Sequence, residues 1–428
     1  MQVLVWDKQT QKKVRRDFAN FFDKNVFKKV NRILAEVRQR GDLAIRRYTR
    51  EFDGLDLPLK RIRVSQGDIN RAFEKIQVPF VPILKKISDN VKEYYERELK
   101  QSFEINRPGG IYLAKNYQPL ERVGVYIPGG TAPLVSTVYM TVIPAKVAGV
   151  KELVIATPPN RDTGEIDPNI LAVANLLGVN EIYRVGGAQA IGALAFGTRT
   201  IPKVDKIVGP GNPYVTEAKR QVYGFVDIDM VAGPSEVAIL ADSSANPDYV
   251  TCDLLAQSEH FGGIGYLVTP SKKLIEAIRK RVDTGYIIQV KSLAEGCEAV
   301  NEIAPEHLEI MTDEPQKMVK SIRHAGAIFL GPYSPAVIGD YVAGPSHVLP
   351  TGGTARYFSP LSASSFIKST QIISFSEEAL AKARPDVQKL TEMEGLVLHR
   401  ISLEARFLAR AAEDSAEKPL KSEEKVTK

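Results

Sequence analysis

The apolar positions of this chain change rhythm near residue 122. Before it, helical spacing dominates: Val26, Val30, Ile33, Leu34 and Val37 recur on one face and stop at Gly41. A second long helical segment runs from about Val81 to Leu99. After residue 122, short apolar runs alternate with helical stretches. "RVGVYIPGG", "ELVIATPP", "EIYRVGG", "DKIVGPGN", "SEVAILAD", "GYLVTP" and later "GAIFLG" read as strands. Between them, "STVYMTVIPAKVAGV", "NILAVANLLG", "AQAIGALAFG" and "NPYVTEAKRQVYG" read as helices. Such alternation predicts a parallel sheet with helices on its faces. From about residue 376 the pattern is helical again. The closing "AEDSAEKPLKSEEKVTK" is charged and weakly apolar, and predicts disorder.

One predicted helix ends in an unusual way. Asn246 suits an N-cap and Pro247 the first helical position, with Val250, Leu254 and Phe261 at helical spacing before Gly262-Gly263. Gln257 falls on that apolar stripe, with His260 three residues on. A buried amide or imidazole needs a partner. A hydrogen-bonded core pair is the plain explanation, and a pair of metal or substrate ligands is the alternative.

The composition narrows the function classes. With 428 residues, 44% hydrophobic and 25% charged, the chain has room for two or three domains with full cores. The 57 basic and 51 acidic residues leave only +6, scattered over helix surfaces, without the basic patch that nucleic-acid binding needs. No run reaches the roughly 18 apolar residues of a membrane span. The start, "MQVLVWDKQTQKKV", lacks a signal-peptide pattern, so a cytoplasmic protein is expected. The two cysteines, Cys252 and Cys297, lack metal-type spacing, and a cysteine nucleophile is not expected.

Three strand ends carry glycine turns: "IPGGTAP" (127–133), "VGGAQA" (185–190) and "VGPGNPY" (208–214). In open α/β sheets ligands sit beyond the carboxyl ends of strands, where glycine lets backbone approach them. None is a dinucleotide or phosphate-loop fingerprint, so ordinary tight turns compete. Tyr126, Gln189 and Asn212 beside these turns favour a binding cleft. Four of the five histidines, His260, His307, His347 and His399, lie in polar, acidic or glycine-rich surroundings, and Glu306 directly precedes His307. A carboxylate beside an imidazole can tune it as an acid or base near neutral pH.

Eight collinear segments, among them "RVGVYIPGGTAPLVSTVYM", "VDKIVGPGNPYVTEAKR", "DLLAQSEH", "NEIAPEHLE", "GDYVAGPSHVLPTGGTAR" and "EGLVLH", resemble the L-histidinol dehydrogenase family over roughly residues 20–410. The resemblance implies an α/β fold of two Rossmann-like parallel-sheet domains with helical N- and C-terminal extensions. It divides the chain into an N-terminal arm (1–19), a discontinuous catalytic domain (20–121 with 235–365), an NAD-binding domain (122–234), a C-terminal helical segment crossing a dimer (366–412) and a tail (413–428). It implies NAD-dependent oxidation of L-histidinol through L-histidinal to L-histidine, with one zinc ion per active site. Metal ligands would be Gln257, His260, Asp340 and His399, and the acid–base residues Glu306 and His307. Substrate contacts would add Ser235, His347 and Glu394, and NAD contacts Tyr126, Gln189 and Asn212. It further implies a homodimer with composite active sites. "HFGG" after His260 and Ser346 depart from the common pattern. The rival expectations are a related enzyme for another small alcohol, such as a sulfonated diol, and a non-catalytic metal- or nucleic-acid-binding protein.

Overall fold

In the computed structural model, residues 1–15, 23–75, 80–129, 133–260 and 262–416 are described. Phe261, residues 130–132 of the first glycine turn and residues 417–428 of the expected tail lie outside them. The chain forms two compact units, residues 1–99 with 119–367 and residues 100–118 with 368–428.

The first unit holds two parallel sheets. One runs β1-β11-β10-β9-β12-β13, from β1 (Gln2–Val5), β9 (Glu236–Ala241), β10 (Ile264–Thr269), β11 (Tyr286–Gln289), β12 (His307–Met311) and β13 (Ala327–Leu330). The other runs β6-β5-β4-β7-β8, from β4 (Arg122–Tyr126), β5 (Glu152–Thr157), β6 (Glu181–Arg184), β7 (Lys206–Val208) and β8 (Asp227–Ile228). Strands such as "EVAILA" and "ELVIAT" are apolar almost throughout because helices cover both faces of these sheets. The α/β expectation therefore holds.

The helices of residues 24–96 cover the five-stranded sheet, and the last of them also joins residues 235–365: the Tyr95 hydroxyl donates to Leu361 O at 3.0 Å and accepts from the Ser346 N–H at 2.7 Å, and Asn90 Nδ2 donates to Val342 O at 2.9 Å. Lys24–Arg40 buries Val30, Ile33, Leu34 and Val37 and packs on helices Gly187–Phe196 and Pro213–Val222. Gln66–Lys75 packs on Pro168–Leu176, and Phe80–Glu96 on Val135–Val147. Their stripes match small and aliphatic residues such as Ala188, Ala190 and Ile191, which is complementarity between distant segments and not a local signal.

The second unit contains a three-stranded sheet of β14 (Ile367–Phe375), β3 (Ile111–Pro119) and β2 (Phe103–Arg107), followed by helices Glu377–Met393 and Val397–Ala416. Residues 103–119 are not helical but an antiparallel hairpin, with Arg107 opposite Ile111 across Pro108-Gly109-Gly110. Both glycines have positive φ, 88° and 82°, a backbone that closes a tight turn. The segment from 366 likewise opens as a strand, and its last helix continues through Ala416, beyond the expected start of the tail.

Candidate active site

A cavity of about 290 Å³ in the first unit is lined from both parallel sheets. The five-stranded sheet contributes the carboxyl ends of β7 and β8, through Gly209–Gly211, Asp229 and Met230. The six-stranded sheet contributes amino ends: Ser235 precedes β9, Gln257 and His260 precede β10, Glu306 precedes β12 and His307 begins it. Sequence reasoning looked only beyond carboxyl ends and missed this second, opposite arrangement.

Helix Pro247–Ala256 starts on the Asn246 cap as expected and ends before Gln257, which opens a short 3₁₀ turn. Gln257 is buried and its Nε2 donates to Ser235 Oγ at 2.9 Å. Committing the amide N–H to Ser235 leaves the amide oxygen as the atom available to a cation or substrate. Glu259 and His260 are exposed, at the cavity wall.

His307, the first residue of β12, is buried. Its Nδ1 lies 3.8 Å from Glu306 Oε2 and its Nε2 3.4 Å from Asp340 Oδ1. Among the described residues neither nitrogen makes an aligned hydrogen bond, which is uncommon for a buried imidazole. Burial alone would lower its pKa, but Glu306, Asp340 and Glu309 outweigh burial and raise it to about 9. Glu306 accepts from the Glu236 N–H at 3.2 Å, and its own burial pushes its pKa up. Asp340, on helix Ala336–Tyr341, is pushed up by burial, yet His307, His347 and His260 bring it below the usual carboxylate value. His347 Nε2 sits 3.2 Å from Ser136 Oγ, and burial lowers its pKa.

The expected NAD residues gather at the carboxyl ends of the five-stranded sheet. Order 6-5-4-7-8 makes β4 and β7 the point where connections diverge to opposite sides, the usual place for a ligand crevice. Tyr126 ends β4, and its hydroxyl accepts from the Gly187 N–H at 3.0 Å. Gly209 has φ 112°, and a Cβ there would lie 2.1 Å from the Tyr126 carbonyl oxygen. The buried Lys219–Asp229 ion pair holds this turn: Asp229 accepts from Gly209 N–H and Lys219 donates to Gly209 O, both at 2.8 Å. Asn212 caps helix Pro213–Val222 by accepting from Tyr214 and Val215 N–H. Gln189 is buried, and its Oε1 meets no donor among the described residues.

Glu394 and His399 belong to the second unit, where both are exposed. Within the first unit, Gln257, His260 and Asp340 line one cavity and supply the mixed oxygen and nitrogen donors that suit zinc. Among the described residues no group of three His, Cys, Asp or Glu is drawn together as a metal cage. The donor chemistry fits zinc, with the amide of Gln257 as one of its members.

Sequence reasoning missed cavity residues Asp253, Glu309, Lys219, Asp229, Ser136 and Thr137. Strand period would have pointed to Glu309, two beyond His307, and helix period to Asp253, four before Gln257.

Residues 18–407 match the histidinol dehydrogenase family. The histidinol dehydrogenase of Bacillus cereus is 46% identical over 414 residues, 92% of this chain and 96% of that protein. That of Clostridium acetobutylicum is 45% identical over 401 residues, 89% of this chain and 92% of that protein. The crystal structure of histidinol dehydrogenase from Elizabethkingia anophelis superposes with a TM-score of 0.88 at 34% identity, covering 96% of this chain and 99% of that one.

Proposed function

The chain belongs to the histidinol dehydrogenase family and is an oxidoreductase of histidine biosynthesis, and from this we propose that it oxidises L-histidinol through L-histidinal to L-histidine while reducing two NAD. The observation that carries this reading is His307, which lines the cavity buried between Glu306 and Asp340, with neither ring nitrogen in an aligned hydrogen bond among the described residues.

Gln257, His260 and Asp340 would hold a zinc ion, with His399 of the partner subunit as fourth ligand in a homodimer with composite sites. Zinc bound there supplies a template that fixes an imidazole-bearing amino alcohol by its donor atoms. His307 takes the alcohol proton as hydride leaves the carbinol carbon for NAD. Glu306 then activates water for attack on the aldehyde, and a second hydride leaves from the hydrate to a second NAD. Ser235, His347 and Glu394 would contact substrate. Tyr126, Gln189 and Asn212 would contact NAD, within residues 122–234. No thiol takes part, in keeping with Cys297 being buried in the core away from the cavity residues.

The test is NADH formation from L-histidinol compared with other small alcohols, including sulfonated diols. Strong preference for L-histidinol supports the reading. Equal or greater rates with the diols would overturn the substrate assignment.

A further inference from the structure

Two carboxyl groups in the cavity have no part in the chemistry above. Glu309 stands two residues beyond His307 on β12, so both side chains face the same way. Asp253 lies one helical turn before Gln257. Both line the cavity, and their carboxyl groups are within hydrogen-bonding reach of each other. Glu309 Oε1 accepts from the N–H of Ala336 at 2.7 Å, the residue that opens the helix carrying Asp340. Its Oε2 is buried and meets no donor among the described residues.

Two ionised carboxylates in such contact repel one another. One proton between them removes the repulsion and gives Oε2 its missing partner. Burial, with Asp253 next, pushes the Glu309 pKa up to about 8, in line with Glu309 carrying that proton. The resulting O–H···O⁻ bond is of the charge-assisted kind, shorter and stronger than a neutral one. Glu309 is thereby tied to three elements at once: the strand that begins with His307, the helix leading into Gln257, and the helix bearing Asp340.

We propose that Asp253 and Glu309 are positioning residues that share one proton and through that bond set the spacing of Gln257 and Asp340 across the cavity. The proposal rests on the reading of Gln257 and Asp340 as metal ligands. It makes a distinction between shape and charge. Glu309→Gln keeps an acceptor for Ala336 and a donor for Asp253, and Asp253→Asn offers a donor to Glu309. Alanine at either position breaks the bond.

The experiment is zinc binding by competition with a chromophoric chelator, alongside the melting temperature of each metal-free variant. Wild-type protein is expected to bind one zinc per chain. Glu309→Ala and Asp253→Ala are expected to bind about 10–100-fold more weakly, as for lost groups that orient metal ligands. Glu309→Gln and Asp253→Asn should stay near wild-type affinity, a rescue that loss of packing alone would not show. Alanine variants that hold zinc as tightly as wild type would overturn the pairing, as would amide variants as weak as the alanines. If Glu309→Ala does not fold, Asp253→Ala, on a half-exposed helix position, decides by the same comparison. A wild-type protein that binds no zinc would instead overturn the ligand reading itself.

Discussion

His307 Nε2 lies 3.4 Å from Asp340 Oδ1, so the proposed base and a proposed metal ligand meet directly. That contact joins the amino end of β12 to helix Ala336–Tyr341, and it accounts for part of the raised pKa of His307. A carboxylate committed to a cation has less charge to offer an imidazole. The same side chain can therefore hold His307 in place before metal arrives and release it for proton transfer afterwards.

Exchange of His307 for alanine and of Glu306 for glutamine should separate the two oxidations. Removing a general base costs about 10²–10⁴-fold in rate. His307→Ala is expected to slow oxidation of both histidinol and supplied histidinal. Glu306→Gln is expected to slow chiefly the histidinal step, where water must be activated. Separate single-turnover rates for the two substrates check this, and an equal small effect of Glu306→Gln on both would remove Glu306 from water activation.

Gln257→Ala tests a residue whose structure admits two roles. Its hydrogen bond to Ser235 is that of a satisfied core amide, while its side chain lines the cavity that His260 and Asp340 also line. As a ligand, its loss lowers zinc content measured by elemental analysis. Stoichiometric zinc together with a lower melting temperature would make it a core residue.

Acidity should act on the metal-free protein with a definite sign. His307 is raised from 6.5 to about 9, so its contribution to stability is complete below about 6.5 and is lost as pH rises through 9. Glu309, raised from 4.5 to about 8 by burial and Asp253, disfavours the fold as pH rises from about 4.5 to about 8, and Glu306 shifts in the same direction. The folded state binds more protons in each case. The melting temperature should therefore fall between pH 6 and pH 9.5, and Glu309→Gln should flatten the fall below pH 8. A melting temperature that rises over this interval would contradict the assignment.

The sequence made some of this site legible and hid the rest for identifiable reasons. The turns at Gly187 and Gly209 were visible because chain reversal after an apolar strand needs glycine locally. The Asn212 side chain was taken as a ligand contact, and its cap on the following helix shows a second, structural use of the same residue. β12 was hidden because it has only five residues and is separated by only two residues from Ala304, whose φ of 50° ends the preceding helix. Without that strand, nothing in "APEHLEI" revealed that Glu306 and His307 sit at an amino end. The meeting of His307 with Asp340 is a tertiary contact between an inner strand of the six-stranded sheet and a short helix beyond its edge strand, which spacing cannot show. The 103–119 hairpin was missed although "RPGG" carried its turn signal.

Mixed assemblies test the composite site. His260→Ala and His399→Ala homodimers should each be inactive. When the two are unfolded and reassembled together, a mixed dimer places both defects in one site and leaves the other whole. Random pairing in a twofold dimer then restores roughly a quarter of wild-type activity. No recovery, with mixed dimers present by native mass spectrometry, would place all ligands within one chain.

The most direct measurement of the central claim is the stoichiometry of the purified enzyme with limiting L-histidinol and excess NAD. Two NADH formed for each histidinol consumed, with L-histidine as product and activity lost to a chelator and regained with zinc, is the predicted result. No NADH, one NADH with histidinal accumulating, or full activity after verified removal of metal would contradict it.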